Sequence, residues 1–129
     1  NRSVTGGSMA RREIMEIERG DIIILEFPFG DKQGKTKVRP ALVVQNNIGN
    51  RFSVNTIVIM LTSVLPSKIY PVQVLLPAGT DTGLEKPSVA DAGVVYTILK
   101  SRIQRKLGKC PQELLIKINE ALRISLDLM

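Results

Sequence analysis

Short runs of apolar, often β-branched residues alternate with Gly, Pro and Asn over most of the chain, which is the pattern of a sheet with tight turns. The first run, at 21–27, is apolar almost throughout, so we expect its strand to be buried on both faces. The predicted strands cover 21–27, 39–45, 56–61, 71–76 and 93–98. Short strands separated by turns in this way predict a compact antiparallel barrel.

The C-terminal part of the chain has a different period. Residues recur there at intervals of three and four, which places them on one stripe of an amphipathic helix: Leu114, Leu115, Ile118, Ala121, Leu122, Ser125 and Leu128. Pro111 suits the first turn of this helix, and Glu113 favours the positive end of the helix dipole. Ile103 and Leu107 are predicted to belong to a shorter helix that ends at Gly108.

The segments between these elements are predicted to be loops and turns. Segment 30–38 is rich in Gly, Lys and Thr and lacks periodicity, so we expect an exposed, mobile loop. Asn and Gly at 46–50 predict a turn, and 83–89 is predicted to be a connecting loop. Pro40 fits the first residues of a strand or a sheet edge.

Length and composition predict one domain in a reducing compartment. The 129 residues suit a single core, and we expect one domain over 9–129 after a vector remnant at 1–8, because Met9 follows a Gly-Gly-Ser stretch. The longest apolar stretch, at 57–65, is far shorter than the roughly 20 residues that span a bilayer, so we expect no membrane span. Cys110 is the single cysteine and cannot form an intrachain disulfide, which indicates the cytoplasm.

Basic residues outnumber acidic ones by 18 to 12, and the net charge of +6 favours a polyanionic partner. The excess lies in two clusters, which are Lys32, Lys35, Lys37, Arg39 and Arg51, and then Lys100, Arg102, Arg105, Lys106 and Lys109. Either cluster could contact phosphates. The alternative is that these side chains are solvated and keep the protein soluble. The two clusters together favour nucleic acid.

The sequence contains no histidine, the side chain that usually titrates near neutral pH. This absence excludes a Ser-His-Asp triad, a Cys-His pair, a His-zinc site and RNA cleavage by paired histidines. No glycine-rich phosphate loop is present, and Glu13, Glu16 and Glu18 fit a solvated helix face better than a metal site. We therefore expect no metal and no cofactor, and a structural role for Cys110.

An arginine and a hydroxyl can still cleave RNA, because RNA carries its own nucleophile. The 2′-hydroxyl beside the scissile phosphate attacks it, so the enzyme must position that group, neutralise the phosphorane oxygens and assist proton transfer. A cation and a hydroxyl can share these tasks, and one well-placed electrostatic contact contributes on the order of 3 kcal/mol.

Three sequence motifs resemble the MazF/PemK toxins in order and spacing. They are RGD at 19–21, RPALVVQNNIGNRFS at 39–53 and TIVIMLTS at 56–63, and a weaker similarity extends to EALRISLDL at 120–128. The resemblance covers nearly all the chain after Met9. It implies a mainly β fold with α-helix, the small antiparallel half-open β-barrel of the CcdB/MazF-toxin type with a C-terminal amphipathic helix.

The same resemblance implies a toxin of a type II toxin–antitoxin system that is an mRNA interferase. Such an endoribonuclease cleaves single-stranded RNA without a metal and with sequence selectivity, leaving a 2′,3′-cyclic phosphate and a 5′-hydroxyl. Catalysis maps to Arg39, as phosphate stabiliser and proton donor, and to Thr62, which positions the phosphate or the 2′-hydroxyl. The alternatives are a surface ion pair for Arg39 and an ordinary β-branched strand position for Thr62.

The expected RNA-binding residues include a loop that folds over substrate in the family. They are Phe29, Gln33, Lys35, Lys37, Asn50, Arg51 and Ser63. This loop is slightly longer than in many relatives. Where many relatives carry Glu-Gln-Ile-Arg-Thr-Ile, a strand used partly in base reading, this chain has GVVYTI at 93–98, so base preference cannot be transferred. Tyr96 could stack a base or be buried.

The resemblance also implies two protein partners. One is a second copy of the chain, in a homodimer with an RNA cleft at the interface. The other is a cognate MazE-like antitoxin, whose disordered acidic tail would be drawn to the same basic cleft as RNA. Two other functions stay open: a CcdB-like gyrase-poisoning binding protein, and a non-catalytic nucleic-acid-binding barrel.

Overall fold

The protein is described by a computed structural model over residues 15–27 and 37–129, and these residues form a sheet of six strands with two helices. The strands are β1 (Asp21–Phe27), β2 (Lys37–Val43), β3 (Asn55–Thr62), β4 (Gln73–Leu76), β5 (Ser88–Leu99) and β6 (Ile103–Lys109). The helices are α1 (Asn47–Phe52) and α2 (Gln112–Ser125), and a 3₁₀ turn, Lys100–Arg102, precedes β6. The vector remnant expected at 1–8 and most of the loop predicted at 30–38 lie outside the described residues.

The six strands form one antiparallel sheet in the order β4-β5-β3-β2-β1-β6. Its outer strands, β4 and β6, are not paired with each other, so the sheet remains open. This arrangement confirms the predicted antiparallel half-open barrel. All five predicted strands are present; β1 has the predicted bounds, and the other four have shifted ends.

Both faces of the sheet carry apolar cores because the central strands alternate between two buried sets. One set includes Ile22, Leu42 and Ile59, and the other includes Ile23 and Val58. No residue of β1 is exposed, which confirms the predicted burial of this strand on both faces. Each large aliphatic side chain buried in this way contributes roughly 1.5–3 kcal/mol of transfer free energy.

The C-terminal helix α2 covers one face of the sheet, as its periodicity predicts. Ile118 and Ala121 are 0% and 1% exposed in the core that also contains Ile22 and Leu42. Leu114, Leu115 and Leu122 pack against the same core. Pro111 occupies the N-cap position and Glu113 the first turn.

The short helix predicted around Ile103 and Leu107 is wrong. These residues belong to β6, which pairs with β1 from Asp21↔Lys109 to Leu25↔Ile103 with two register irregularities. A spacing of four satisfies both the helical period and strand alternation, so two apolar positions cannot distinguish the two structures. The unpaired edge of β1 decides the outcome, since β6 supplies its hydrogen-bond partners.

Two turn and loop predictions also need correction. The turn predicted at 46–50 starts α1, where the side chain of Asn46 accepts a 2.7 Å hydrogen bond from the Gly49 N–H and so caps the helix. The loop predicted at 83–89 ends earlier, because β5 begins at Ser88. Pro40 lies inside β2 opposite Ile24, but the β2–β3 ladder starts only at Ala41, so its missing N–H costs no bond to β3.

None of the helices in the described ranges is long and apolar enough to cross a membrane.

Candidate functional site

Arg39 and Thr62 lie on neighbouring strands at the same end of the sheet. The β2–β3 ladder pairs Ala41 with Met60 and Val43 with Val58. Arg39 and Thr62 each lie two residues beyond the Ala41–Met60 pair that ends this ladder, on the same side of it. The fold therefore brings these two predicted residues together.

Two concave sites meet at this pair. The main cleft has a volume of about 730 Å³. It is lined by the start of β2, the end of β3 with the two residues that follow, segment 83–88 and part of β6. The side pocket, about 300 Å³, lies between β1, β3 and β5. Lys37, Arg39, Leu61 and Thr62 line both. Both volumes fall within the roughly 300–1,000 Å³ of small-molecule sites, so groups on either side of a bound phosphate have space.

The Thr62 hydroxyl is held in a defined orientation at the end of β3. Its Oγ1 accepts a 3.1 Å hydrogen bond from the Val64 N–H, which is a local hydroxyl–backbone turn. A hydroxyl that accepts from the backbone still has its own hydrogen to donate. Because Thr62 is only partly buried, that hydrogen can reach a ligand in the cleft.

Cations dominate the lining of the main cleft. Lys37, Arg39, Lys86 and Arg105 line it, against the single carboxylate of Glu85 among the described lining residues. Within the described ranges, Arg39 forms no salt bridge, so its guanidinium keeps its donors for a ligand. A concave surface with this excess of positive charge attracts phosphates.

The other predicted RNA-binding residues are distributed unevenly. Lys37 and Ser63 line the main cleft, and Lys37 also lines the side pocket. Arg51 is exposed on α1, where its guanidinium lies 6.0 Å from the Phe52 ring centroid. This helix precedes β3, so Arg51 is near the opposite end of the strand from Thr62, roughly 20 Å away at about 3.3 Å per residue. Phe29, Gln33 and Lys35 lie outside the described residues.

Asn50 is placed in the interior and not in the cleft. It is 3% exposed, and its Oδ1 accepts hydrogen bonds from the Thr56 hydroxyl at 2.7 Å and from Gln45 Nε2 at 3.0 Å. Its Nδ2 donates to the Gln45 carbonyl at 2.9 Å, and its own carbonyl accepts from Lys100 Nζ at 2.6 Å. The expected RNA contact of Asn50 is therefore replaced by a structural role that joins α1, β3 and the 3₁₀ turn before β6.

The second basic cluster does not form one surface. Lys100 is 7% exposed and donates to Asn50, whereas Lys106 and Lys109 form ion pairs with Asp21 at 3.5 and 3.0 Å. Hydrogen bonds to Glu18 and Asp21 raise the pKa of Lys109 above its ordinary value. Arg105 is the member of this cluster that lines the main cleft.

The RGD motif anchors the start of β1. Asp21 is fully buried and its Oδ2 accepts from the Glu18 N–H at 2.8 Å, in addition to its lysine ion pairs. Arg19 Nε donates to the Val44 carbonyl at 2.8 Å. Gly20 has φ +97°, a backbone conformation that residues other than glycine rarely adopt. The motif thus has a structural explanation that does not involve the cleft.

Cys110 is buried outside both sites. Burial raises the pKa of its thiol to about 11, so the thiolate is scarce at neutral pH and the expected structural role fits. In the part of the chain that the structure describes, no three side chains of Cys, Asp and Glu cluster as metal ligands would.

Sequence reasoning missed the segment that closes the main cleft and the carboxylate of the side pocket. Lys86 and Glu85 come from a segment predicted only as a loop, and Asp91 comes from the early part of β5, which was not predicted as strand. Tyr96, proposed as a base platform or a buried ring, is half-buried and lies edge-to-face against Phe27, with ring centroids 4.7 Å apart.

Comparison with known proteins gives a consistent result. Residues 18–126 match the family model described as PemK-like, MazF-like toxin of type II toxin-antitoxin system. Endoribonuclease EndoA of Bacillus subtilis is 38% identical over 117 residues, covering 89% of this chain and 98% of the relative. Endoribonuclease MazF9 of Mycobacterium tuberculosis is 32% identical and covers 87% and 98%.

A solved structure has the same fold. It is an endoribonuclease in complex with its cognate antitoxin, from Mycobacterial species. The alignment has a TM-score of 0.71 and 25% identity, and it covers 88% of this chain and 97% of the other.

Proposed function

The chain belongs to the family of PemK-like, MazF-like toxins of type II toxin–antitoxin systems, and we propose that it is an endoribonuclease in which Arg39 and Thr62 form the catalytic pair. One observation carries the assignment of these residues. Arg39 and Thr62 lie near the same end of β2 and β3 and line the same cation-rich cleft. The relatives are named endoribonucleases, which disfavours the gyrase-poisoning alternative.

The proposed reaction uses the RNA's own 2′-hydroxyl as nucleophile. The 2′ oxygen attacks the adjacent phosphorus and passes its proton to water, the bond from phosphorus to the 5′ oxygen breaks, and that oxygen takes up a proton from water and leaves as a 5′-hydroxyl. The products are a 2′,3′-cyclic phosphate and a 5′-hydroxyl, so no oxidant, metal or external nucleophile is consumed.

Each member of the pair has a distinct role. The guanidinium of Arg39 donates to the non-bridging oxygens, whose negative charge grows in the transition state, and to the leaving 5′ oxygen, which it assists in taking a proton. The Thr62 hydroxyl, already oriented by the Val64 N–H, donates to the phosphate or positions the 2′-hydroxyl. The planar guanidinium of an arginine can donate to two phosphate oxygens at once, whereas the ammonium of a lysine acts as a single point charge.

Flanking phosphates are bound by the cations of the main cleft. Lys37, Lys86 and Arg105 extend the positive lining on both sides of the pair, and Ser63 adds a hydroxyl. Phe29, Gln33 and Lys35 stay predictions for the segment that precedes β2. Arg51 can contact the same RNA only if the RNA extends from the cleft along the sheet to α1.

The partners and location follow from the same proposal. We propose a cytoplasmic homodimer whose RNA cleft is blocked by a cognate antitoxin with an acidic segment. A solved relative is itself a complex with its cognate antitoxin. The physical reason for inhibition is that carboxylates compete with phosphates for Arg39 and the surrounding cations.

Cleavage of a long single-stranded RNA by purified variants tests the catalytic pair. We expect Arg39→Ala and Thr62→Ala each to reduce the rate by about 10²–10³-fold, the usual effect of removing one transition-state donor. Arg123→Ala and Thr80→Ala are matched controls, because both side chains are exposed and outside the cleft. Full activity in both site variants would refute the assignment.

A further inference from the structure

The side pocket contains a group that phosphate binding does not explain. Asp91 supplies a carboxylate to its lining, next to Arg39 and Thr62. A carboxylate repels a phosphate, so a site built for phosphate alone would not place one beside the reacting pair. Among the described residues, no lysine or arginine forms a salt bridge with Asp91, although Lys37 and Arg39 line the same pocket.

Asp91 is held in a fixed orientation. Its Oδ1 accepts a 2.8 Å hydrogen bond from the Gly93 N–H, and its Oδ2 lies 3.4 Å from Gln73 Nε2. Gln73 is itself fixed, because its Oε1 accepts from the Tyr70 N–H at 3.0 Å. A Cβ at position 93 would lie 3.0 Å from Asp91 Oδ1, so a side chain there would press on the carboxylate and shift it by a few tenths of an ångström. A carboxylate offers about four lone-pair sites, so both oxygens can accept further hydrogen bonds.

Apart from Lys37, the rest of the side pocket is lined by apolar and aromatic side chains. Phe27 and Tyr96 form an edge-to-face pair with an interplanar angle of 77°, and Met60, Leu61 and Val94 add apolar surface. A flat ring with polar edges fits such a site, since its faces contact the apolar walls while its edge meets the carboxylate. A nucleobase has this shape and chemistry.

We propose that the side pocket binds the nucleobase adjacent to the scissile phosphate and that Asp91 makes guanine the preferred base. The proposal rests on the proposed function, because RNA must occupy the main cleft. Guanine presents N1–H and N2–H₂ side by side on its Watson–Crick edge, which matches an acceptor-only carboxylate with two oxygens. Adenine and cytosine each place a ring acceptor beside their amino group, and uracil flanks its single N–H with two carbonyls. All three therefore present an oxygen or nitrogen lone pair to a negative charge.

Mapping of cleavage sites in a random RNA pool tests the base preference. We expect wild-type sites to contain guanine at one fixed position beside the cut. In Asp91→Asn, the amide retains an oxygen for the Gly93 N–H but adds a donor, which matches the donor–acceptor edges of adenine and cytosine instead. Guanine selectivity should then fall roughly 5- to 150-fold, the range of one bidentate contact, and adenine or cytosine should replace guanine. Asp127→Asn makes the same charge change outside both sites and should leave the site pattern unchanged.

A second variant separates base reading from a general loss of function. Gly93→Ala keeps the carboxylate but displaces it, so guanine selectivity should fall with no change in charge. An identical pattern of cleavage sites in wild type and Asp91→Asn would overturn the proposal. If Asp91→Asn cleaved the same sites more slowly, Asp91 would only position Arg39, and the proposal would also fail.

The proposal and the proposed function fail in different ways. Absence of cleavage by the wild type would refute the endoribonuclease assignment. Base preference would then be measured by the affinity of wild type and Asp91→Asn for single-stranded DNA heptamers, which lack the 2′-hydroxyl and vary at one position. Tighter binding of guanine that Asp91→Asn removes supports the pocket assignment, and equal binding of all four bases contradicts it.

Discussion

Replacing Thr62 by valine tests whether its hydroxyl acts in catalysis, because valine keeps the β-branched shape that suits the last position of β3. The substitution removes one hydrogen bond, from the Val64 N–H to Oγ1 at 3.1 Å, and this bond is exposed. Water can replace the lost acceptor, so the free energy of unfolding should fall by less than about 1 kcal/mol. If the hydroxyl stabilises the transition state, the barrier should rise by about 2.7–4 kcal/mol, which is a 10²–10³-fold loss of rate.

The assay is single-turnover cleavage of a short fluorescent RNA, with thermal unfolding measured on the same samples. Thr62→Ser restores a hydroxyl and should recover most of the activity. Thr97→Val, at an exposed position of β5, is the matched control and should cleave at the wild-type rate. Wild-type activity in Thr62→Val would show that the Thr62 hydroxyl has no catalytic role and that position 62 needs only a β-branched side chain.

Three further predictions concern stability and binding. Asn50→Ala should destabilise the fold by about 1–3 kcal/mol for each buried partner left without a hydrogen bond, while the folded fraction binds RNA normally. Equilibrium denaturation measures the stability and RNA titration measures the affinity. Lost affinity in a fully stable variant would show that Asn50 contacts RNA after all. Arg105→Ala should reduce the slope of log affinity against log salt by about 0.7, the value for one phosphate contact on a single strand, and an unchanged slope would remove Arg105 from the cleft. The hydrogen bonds of Lys109 to Glu18 and Asp21 raise its pKa above 10.5 in the folded state. The stabilisation they give is therefore fully present below pH 10.5 and is lost as the pH rises through the folded pKa. The difference in unfolding free energy between wild type and Lys109→Gln should shrink over this range, and a constant difference would contradict the raised pKa.

The sheet was predictable from sequence where burial alone decides it. β1 and β3 are runs of β-branched residues that are buried in the core, so local pattern and tertiary environment agree. β6 was missed because its residues are mostly exposed and polar, and it becomes a strand only by pairing with the edge of β1. That information is contained in the topology and not in the local sequence.

The candidate site shows the same division. Arg39 and Thr62 were identified through a motif, but their proximity depends on the pairing of β2 with β3, which sequence spacing does not specify. Asn50 belongs to the same motif and was therefore expected to bind RNA. Its burial shows that a motif mixes residues that act on a ligand with residues that hold the fold, and only their hydrogen-bond partners separate the two.

Identification of the RNA ends formed by wild type in the presence of a metal chelator tests the central claim most directly. Wild type should cleave RNA as fast with the chelator as without it and leave 5′-hydroxyl and 2′,3′-cyclic phosphate ends. The cleavage rate of Arg39→Ala should be 10²–10³-fold lower, roughly the effect of removing one transition-state donor. Fragments with 5′-phosphate ends, or cleavage by Arg39→Ala at the wild-type rate, would contradict the central claim.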